Sequence, residues 1–150
     1  MSDPPRVMMD ANLLIGAFLR PGASRQVIEW AREGRVVLVL CPYVIGEARR
    51  MISRAFRQRL DEFDEMLAST PHEMAPDPEP DVVAEHRGLV EDPADVPVAL
   101  AAIYVEVDYL LSSDRHLVAD DESTRELRYH VRTMTPSRFA REVMGDGVMT

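Results

Sequence analysis

Four acidic residues, Asp10, Glu47, Asp95 and Asp114, stand at points of the chain where a carboxylate has more than one use. Asp10 ends the short apolar run RVMM and precedes Leu13, Leu14, Ala17 and Phe18, apolar residues at helical spacing. Asp is a preferred helix N-cap, which explains it locally. In an open parallel α/β sheet, however, ligands bind in the crevice beyond the carboxyl ends of the strands, so an acid there also faces a site. Asp114 repeats the pattern in the polar turn after the apolar run YLL, and Asp95 begins a helix with Pro97 in its first turn. Glu47 falls on the shoulder of a buried helical stripe, where the local alternative is a surface pair with Arg50 or Arg54. Carboxylates from four remote segments, gathered within a few ångströms, repel and raise one another's pKa unless cations hold them together. All-oxygen ligation suits Mg²⁺ or Mn²⁺, whereas the four His are scattered without zinc-ligand spacing. Two such ions about 4 Å apart clamp a phosphodiester, activate a water and steady the departing oxygen.

The elements that must position these acids alternate between strand and helix. After the first strand (residues 6–9) and helix, RPGAS is a turn, with Ser24 expected to cap a helix that runs to about Glu33 and buries Val27, Ile28, Trp30 and Ala31. Gly34 stops it. Residues 36–40, VVLVL, read as a fully buried parallel strand. Pro42 opens a long helix over residues 43 to about 57, with Val44, Ile45, Ala48, Met51, Ile52, Ala55 and Phe56 on one face and Arg50, Arg54 and Arg57 further round. An acidic helix covers residues 59–69. The Pro-rich segment after it is an irregular connection with a short edge strand at residues 72–75. Further helices are expected over residues 81–90 and from Asp95 through Tyr104, strands over 109–111 and 128–134, and a last helix with Thr135 as cap and Pro136 at its first position. The fold class is α/β, a three-layer α/β/α arrangement with a central parallel sheet of four to five strands.

Composition narrows the setting. A chain of 150 residues, 46% apolar and 29% charged, is one domain of ordinary globular type, with its core over about residues 6–143. Without a ~20-residue apolar run or a signal-peptide pattern, a cytoplasmic location away from membranes is expected. The single Cys41 follows VVLVL and is read as buried packing, in keeping with a reducing compartment. A formal charge of −9 argues against indiscriminate nucleic-acid affinity, though a local cluster can oppose the net sign. All 17 basic residues are Arg, the better fork for phosphate.

The segments MDANLLIGAFLRPGASRQVIEW, CPYVIGEARRMI, EDPADVPVALAA, DYLLSSDRHL and TPSRF, in that order and spacing, resemble the PIN domain, especially the bacterial PIN-like toxin-type proteins. The resemblance runs from Val7 to about Phe139. It implies a Mg²⁺- or Mn²⁺-dependent ribonuclease acting on RNA, often the toxin of a toxin–antitoxin pair with an antitoxin protein as partner, and a tendency to form a homodimer. Asp10, Glu47, Asp95 and Asp114 become the metal-binding acids by position. Asn12 is expected to orient Asp10 or a bound water, and Ser112 stands where the family usually has Thr before its final Asp. Where many relatives carry another acid two residues after that Asp, this chain has His116, which weakens a second ion site. Asp92 matches the first acid of the family's Asp-Pro-Asp-Asp run and is read as opening the helix more than as a ligand.

The alternative of another class is a catalytically silent PIN-like RNA- or protein-binding module, since fold alone does not choose among the functions it hosts. Phosphotransfer with Asp10 as acceptor needs a Lys that the chain lacks. A dinucleotide-binding domain is weaker still, because no glycine-rich turn follows the first strand.

Overall fold

The computed structural model describes residues 3–145. Its centre is a five-stranded, wholly parallel sheet in the order β3-β2-β1-β4-β5, formed by β1 (Arg6–Met9), β2 (Val37–Leu40), β3 (Glu73–Met74), β4 (Tyr109–Leu111) and β5 (Arg132–Met134). The inner strands are apolar on both faces: Val7, Met8, Met9, Leu38, Val39, Leu40, Leu110 and Leu111 are all buried. Near-continuous apolar runs of this kind are what a sheet covered on both sides requires.

Helices α1 (Ala11–Leu19), α2 (Ala23–Arg32), α3 (Pro42–Ala55), α4 (Leu60–Ala68) and α9 (Pro136–Glu142) pack among themselves, as do α5 (Pro80–Glu85), α6 (Val96–Tyr104) and α8 (Arg125–His130). Right-handed crossovers put these two groups on opposite faces, giving the expected three layers. A short helix α7 (Arg115–Val118) follows β4. Phe18 meets Phe63 edge to face at 5.4 Å in the first layer, and Trp30 and Tyr109 both meet Phe139. Among the described residues, no helix is long and apolar enough to cross a membrane.

β1 lies between β2 and β4, so the chain departs from it in one direction first and in the other later. That reversal makes the carboxyl ends of β1 and β4 the switch point of the sheet, where a crevice opens.

Several local expectations are corrected. Ser24 is not a cap: α2 starts at Ala23, and Gly22, at φ +147°, takes the cap position without a side-chain hydrogen bond. The long helix ends at Ala55, and Met51, Ala55 and Phe56 of the expected buried face are exposed, because the face that meets the core is narrower: Val44, Ala48 and Ile52 are buried and Ile45 half-buried against it. The helix over 81–90 is cut to Pro80–Glu85: His86 Nδ1 lies 2.8 Å from the Val82 carbonyl, and Gly88, a poor helix former, follows. The last strand loses residues 128–130 to α8. There, Arg128 holds the helical turn by donating to Thr124 Oγ1 at 2.9 Å and to the Asp121 carbonyl at 3.0 Å. Cys41 is buried, and burial pushes its thiol up, away from the thiolate a nucleophile needs.

Candidate metal centre

β1 and β4 pair in a register that sets Met9 against Leu111. One residue further on, Asp10 and Ser112 therefore lie side by side on the same face, at the ends of their strands. The Ser112 hydroxyl donates to Asp10 Oδ2, while Asp10 Oδ1 accepts from the Leu13 N–H at 2.9 Å and so caps α1. Ser112 Oγ in turn accepts from the Asp114 N–H at 2.9 Å. One buried hydroxyl thus ties two strand ends together, joining the first acid to the loop that carries the last. Asp114 repeats the opening motif by accepting from the His116 N–H at 2.8 Å at the start of α7.

Asp92 and Asp95 arrive from the other side on the 3-10 turn Pro93–Asp95. Asp92 does open this turn, accepting from the Ala94 N–H at 3.0 Å. Asp95 holds the cap position of α6 but makes no side-chain cap bond. Tyr43 fixes the turn against α3, its hydroxyl donating to the Ala94 carbonyl at 3.0 Å. The start of α3 is itself held from outside: Cys41 supplies no side-chain cap, and Asp77 accepts from the Tyr43 N–H at 2.9 Å instead. Neither Tyr43 nor Asp77 is marked by sequence spacing. Their roles arise only once α3, the Pro-rich connection and the 3-10 turn meet.

All four expected acids, together with Asp92, Asn12 and Tyr43, line one cleft of about 200 Å³. Within it, Asp92, Asp95 and Asp114 are the tight group, each offering a carboxylate oxygen within 4.8 Å of the others. Asp10 lies beside this group, joined to it through Ser112. Glu47 reaches the cleft from the second turn of α3, with Oε1 2.6 Å from Arg50 Nη1. The local alternative and the cleft position therefore hold together for that residue. Asn12 is exposed on the wall and, among the described residues, makes no side-chain hydrogen bond to Asp10; Ser112 and the Leu13 N–H orient that carboxylate instead. His116 Nδ1 lies 2.8 Å from Glu91 Oε2.

The electrostatics match the crowding. Burial raises the Asp10 pKa above the ordinary 3.8 against the lowering pull of Ser112 and the Leu13 N–H, and the Asp114 charge adds to the rise. Asp95 is pushed up to about 7, first by burial, then by its hydrogen-bond contact with Asp114 and by the charges of Asp114, Asp92 and Asp10. Tyr43 is raised as well, by burial and the charges of Glu47 and Asp95. Asp95 Oδ2 is buried and, among the described residues, has no hydrogen-bond partner. An orphaned carboxylate oxygen of this kind is costly, and it is relieved either by a proton or by a cation. Hard oxygen donors with no His or Cys fit Mg²⁺ or Mn²⁺.

A family model described as PIN domain matches residues 6–116. The chain belongs to the PIN domain family. The match takes in every acid of the cleft, and the resemblance read from the sequence stands. Solved structures with the same fold include VapBC2 from Rickettsia felis bound to a DNA fragment from the promoter, at 13% identity and a TM-score of 0.58, covering 86% of this chain and 98% of that one. FitAcB from Neisseria gonorrhoeae is similar at 16% identity and a TM-score of 0.54, covering 87% and 97%. PAE2754 from Pyrobaculum aerophilum is similar at 21% identity and a TM-score of 0.54, covering 79% and 87%. No curated protein sequence matches the chain significantly.

Proposed function

We propose that this PIN domain protein is a divalent-metal-dependent endoribonuclease. The observation that carries the reading is Asp95. Asp10, Asp92 and Asp114 each accept a backbone N–H, and Glu47 pairs with Arg50, so the fold itself has a use for each of them. Asp95 Oδ2 has none, yet it is buried among three other acids. A carboxylate that costs stability, caps no backbone N–H and meets only another carboxylate is the mark of a functional site.

In this reading Asp95 and Asp114, flanked by Asp92 and Asp10, hold Mg²⁺ or Mn²⁺, with Glu47 at the cleft wall. Bound there, such an ion would supply positive charge to offset the carboxylates, and the chemistry of water activation and leaving-oxygen stabilisation that phosphodiester hydrolysis needs. Ser112 positions Asp10 and the Asp114 backbone, and Tyr43 keeps the Asp92–Asp95 turn against α3. In-line attack by water on phosphorus leaves a 5′-phosphate and a 3′-hydroxyl. The resemblance extends the reading to the toxin of a toxin–antitoxin pair in the cytoplasm, with an antitoxin partner and a second copy of the chain. Among the structural neighbours, VapBC2 and FitAB were each solved bound to a DNA fragment, which favours an arrangement in which a partner of the PIN chain supplies a DNA-binding surface.

The test is cleavage of a broad panel of single-stranded and structured RNAs with Mn²⁺. Wild type is expected to cut, and Asp10→Asn to fold but not cut, since the amide oxygen preserves the cap to Leu13. Folded wild-type protein that cleaves nothing, and does not differ from Asp10→Asn, removes the enzymatic reading. The silent module is the second reading, favoured by His116 where many relatives carry an acid. For that module, calorimetric titration with Mn²⁺ gives neither heat nor a thermal shift.

A further inference from the structure

A second cleft, of about 400 Å³, opens beside the acidic one, and the two share Asn12 in their walls. Its lining carries no acidic residue, although the chain as a whole has a net charge of −9. It holds the guanidinium-bearing Arg20, the hydroxyl residues Ser24, Ser113 and Ser137, and the turn at Pro21–Gly22. Among the described residues, Arg20 has no carboxylate within 4.0 Å and its side chain makes no hydrogen bond, so its charge is available. Its side chain folds back over α1, and a Cβ placed on Gly16 would lie 3.5 Å from Arg20 Nη2. That is ordinary van der Waals contact, so the guanidinium lies against the α1 backbone at Gly16, on the cleft wall. Ser113 belongs to the same loop as Ser112 and Asp114, so one loop serves both clefts.

We propose that this cleft binds the phosphate next to the scissile one on a single-stranded RNA, with Arg20 as its cation and the serine hydroxyls as donors. The inference rests on the nuclease reading above and assigns the direction in which the strand leaves the metal centre. Consecutive phosphates of a strand are one nucleotide apart, so a strand held at the acids must place a neighbouring phosphate over an adjoining surface. Only a cation and neutral donors tolerate it there. Arg is suited to the task because its planar fork gives two donors to one phosphate. Asn12, exposed between the two clefts, stands where the linking ribose would pass.

The experiment uses full-length protein, Mn²⁺ and a short single-stranded RNA that wild type cleaves, in a set of versions each carrying one neutral methylphosphonate linkage. Arg20→Ala is expected to raise KM roughly tenfold with little change in kcat, as for loss of one charged hydrogen bond to phosphate. The slope of log KM against log salt should fall by about 0.7, one phosphate contact on a single strand. Arg20→Lys should restore part of the affinity, and Mn²⁺ binding by calorimetry should not change in either variant. Neutralising one linkage beside the cut should raise KM for wild type and leave Arg20→Ala unaffected, a coupling that a merely structural Arg20 would not show. Equal KM and salt slope in wild type and Arg20→Ala, or an equal methylphosphonate penalty in both, overturns the assignment while the nuclease stands. Wild type that cleaves no RNA overturns both.

Discussion

The cleft between α3 and the turn before α6 collects five carboxylates, while its neighbour across Asn12 has none, though both open at the same carboxyl edge of the sheet. The difference follows from how each wall is made. The acid cleft is built from strand ends and helix starts, positions where Asp is a favoured cap, so acids are placed there by ordinary local chemistry and then brought together by register. The second cleft is built from one side of α1, the turn into α2 and the loops after β4 and β5, with Gly, Pro, Ser and Thr in its turns. Local chemistry can thus account for almost every acid in the first cleft taken singly. It cannot account for their sum, nor for Asp95.

The largest effect is expected at that residue. Asp95→Asn should lower Mn²⁺-dependent RNA cleavage by at least about 10³-fold. The same substitution should stabilise the metal-free protein at pH 8, because the amide offers Asp114 a donor where two carboxylates now compete. A gain in melting temperature together with loss of cleavage separates a site that costs stability from a structural cap, which would lose both. If Asp95→Asn melts lower than wild type without metal, Asp95 has a structural use that the fold does not reveal.

Ser112 comes next. Ser112→Ala removes the donor to Asp10 and the acceptor for the Asp114 N–H at once, and leaves the ligand atoms in place. Groups that orient metal-binding carboxylates typically contribute 10–100-fold, so Mn²⁺ affinity by calorimetry should fall within about that range. An unchanged affinity would mean that Asp10 and Asp114 act separately and that the acid cleft is less unified than its geometry suggests.

Protons provide a third test. The Asp95 carboxyl is held near 7 in the folded chain against an ordinary value of 3.8, and Asp10 is raised in the same sense. Between about 3.8 and about 7 the native state binds more protons than the unfolded one. Asp95 therefore contributes stability that is fully present below about 3.8 and lost as pH rises through about 7, and Asp10 acts in the same sense. Their share in the melting temperature of metal-free protein should fall across that window, and Asp95→Asn should flatten it. An ion held by Asp95 would have to displace its proton, so Mn²⁺ affinity should rise about tenfold per pH unit up to about 7 and level off above. The second cleft has no titrating group in that range, and Arg20→Ala should leave both profiles unmoved.

The sequence discloses the framework of the acid cleft better than its contacts. Strand, acid and helix are legible at Asp10 because the polarity pattern changes abruptly there, and the same grammar exposes Asp114. The pairing of Asp10 with Ser112 is not legible from spacing, since it depends on β1 lying beside β4, a neighbour 102 residues away in the chain. Tyr43 and Asp77 are silent for the same reason: each acts across a gap that only tertiary packing closes. The misplaced boundaries have local causes. Arg128–His130 has the composition of a strand lead-in, but side-chain bonds from Arg128 to Thr124 and Asp121 keep it helical. The acid-free cleft leaves no signature in the sequence, because turns of Gly, Pro and Ser occur wherever chains reverse.

The smallest predicted effect lies at Glu47, the one acid of the cleft that is paired with a cation among the described residues. The Arg50 pair is half exposed, at 57% and 43% of the side chains, and joins residues three apart on α3. Such pairs contribute only about 0.3–0.5 kcal/mol, so Arg50→Ala should shift the melting temperature little. Its informative readout is metal affinity. If Glu47 belongs to the metal centre, removing Arg50 frees a carboxylate at the cleft wall, and Mn²⁺ should bind a few-fold tighter in Arg50→Ala, with Glu47→Gln reversing the gain. If Glu47 serves only as a surface partner, both variants bind Mn²⁺ as wild type does. The centre then contracts to Asp10, Asp92, Asp95 and Asp114, with the contrast between the two clefts intact but the α3 wall removed from the chemistry.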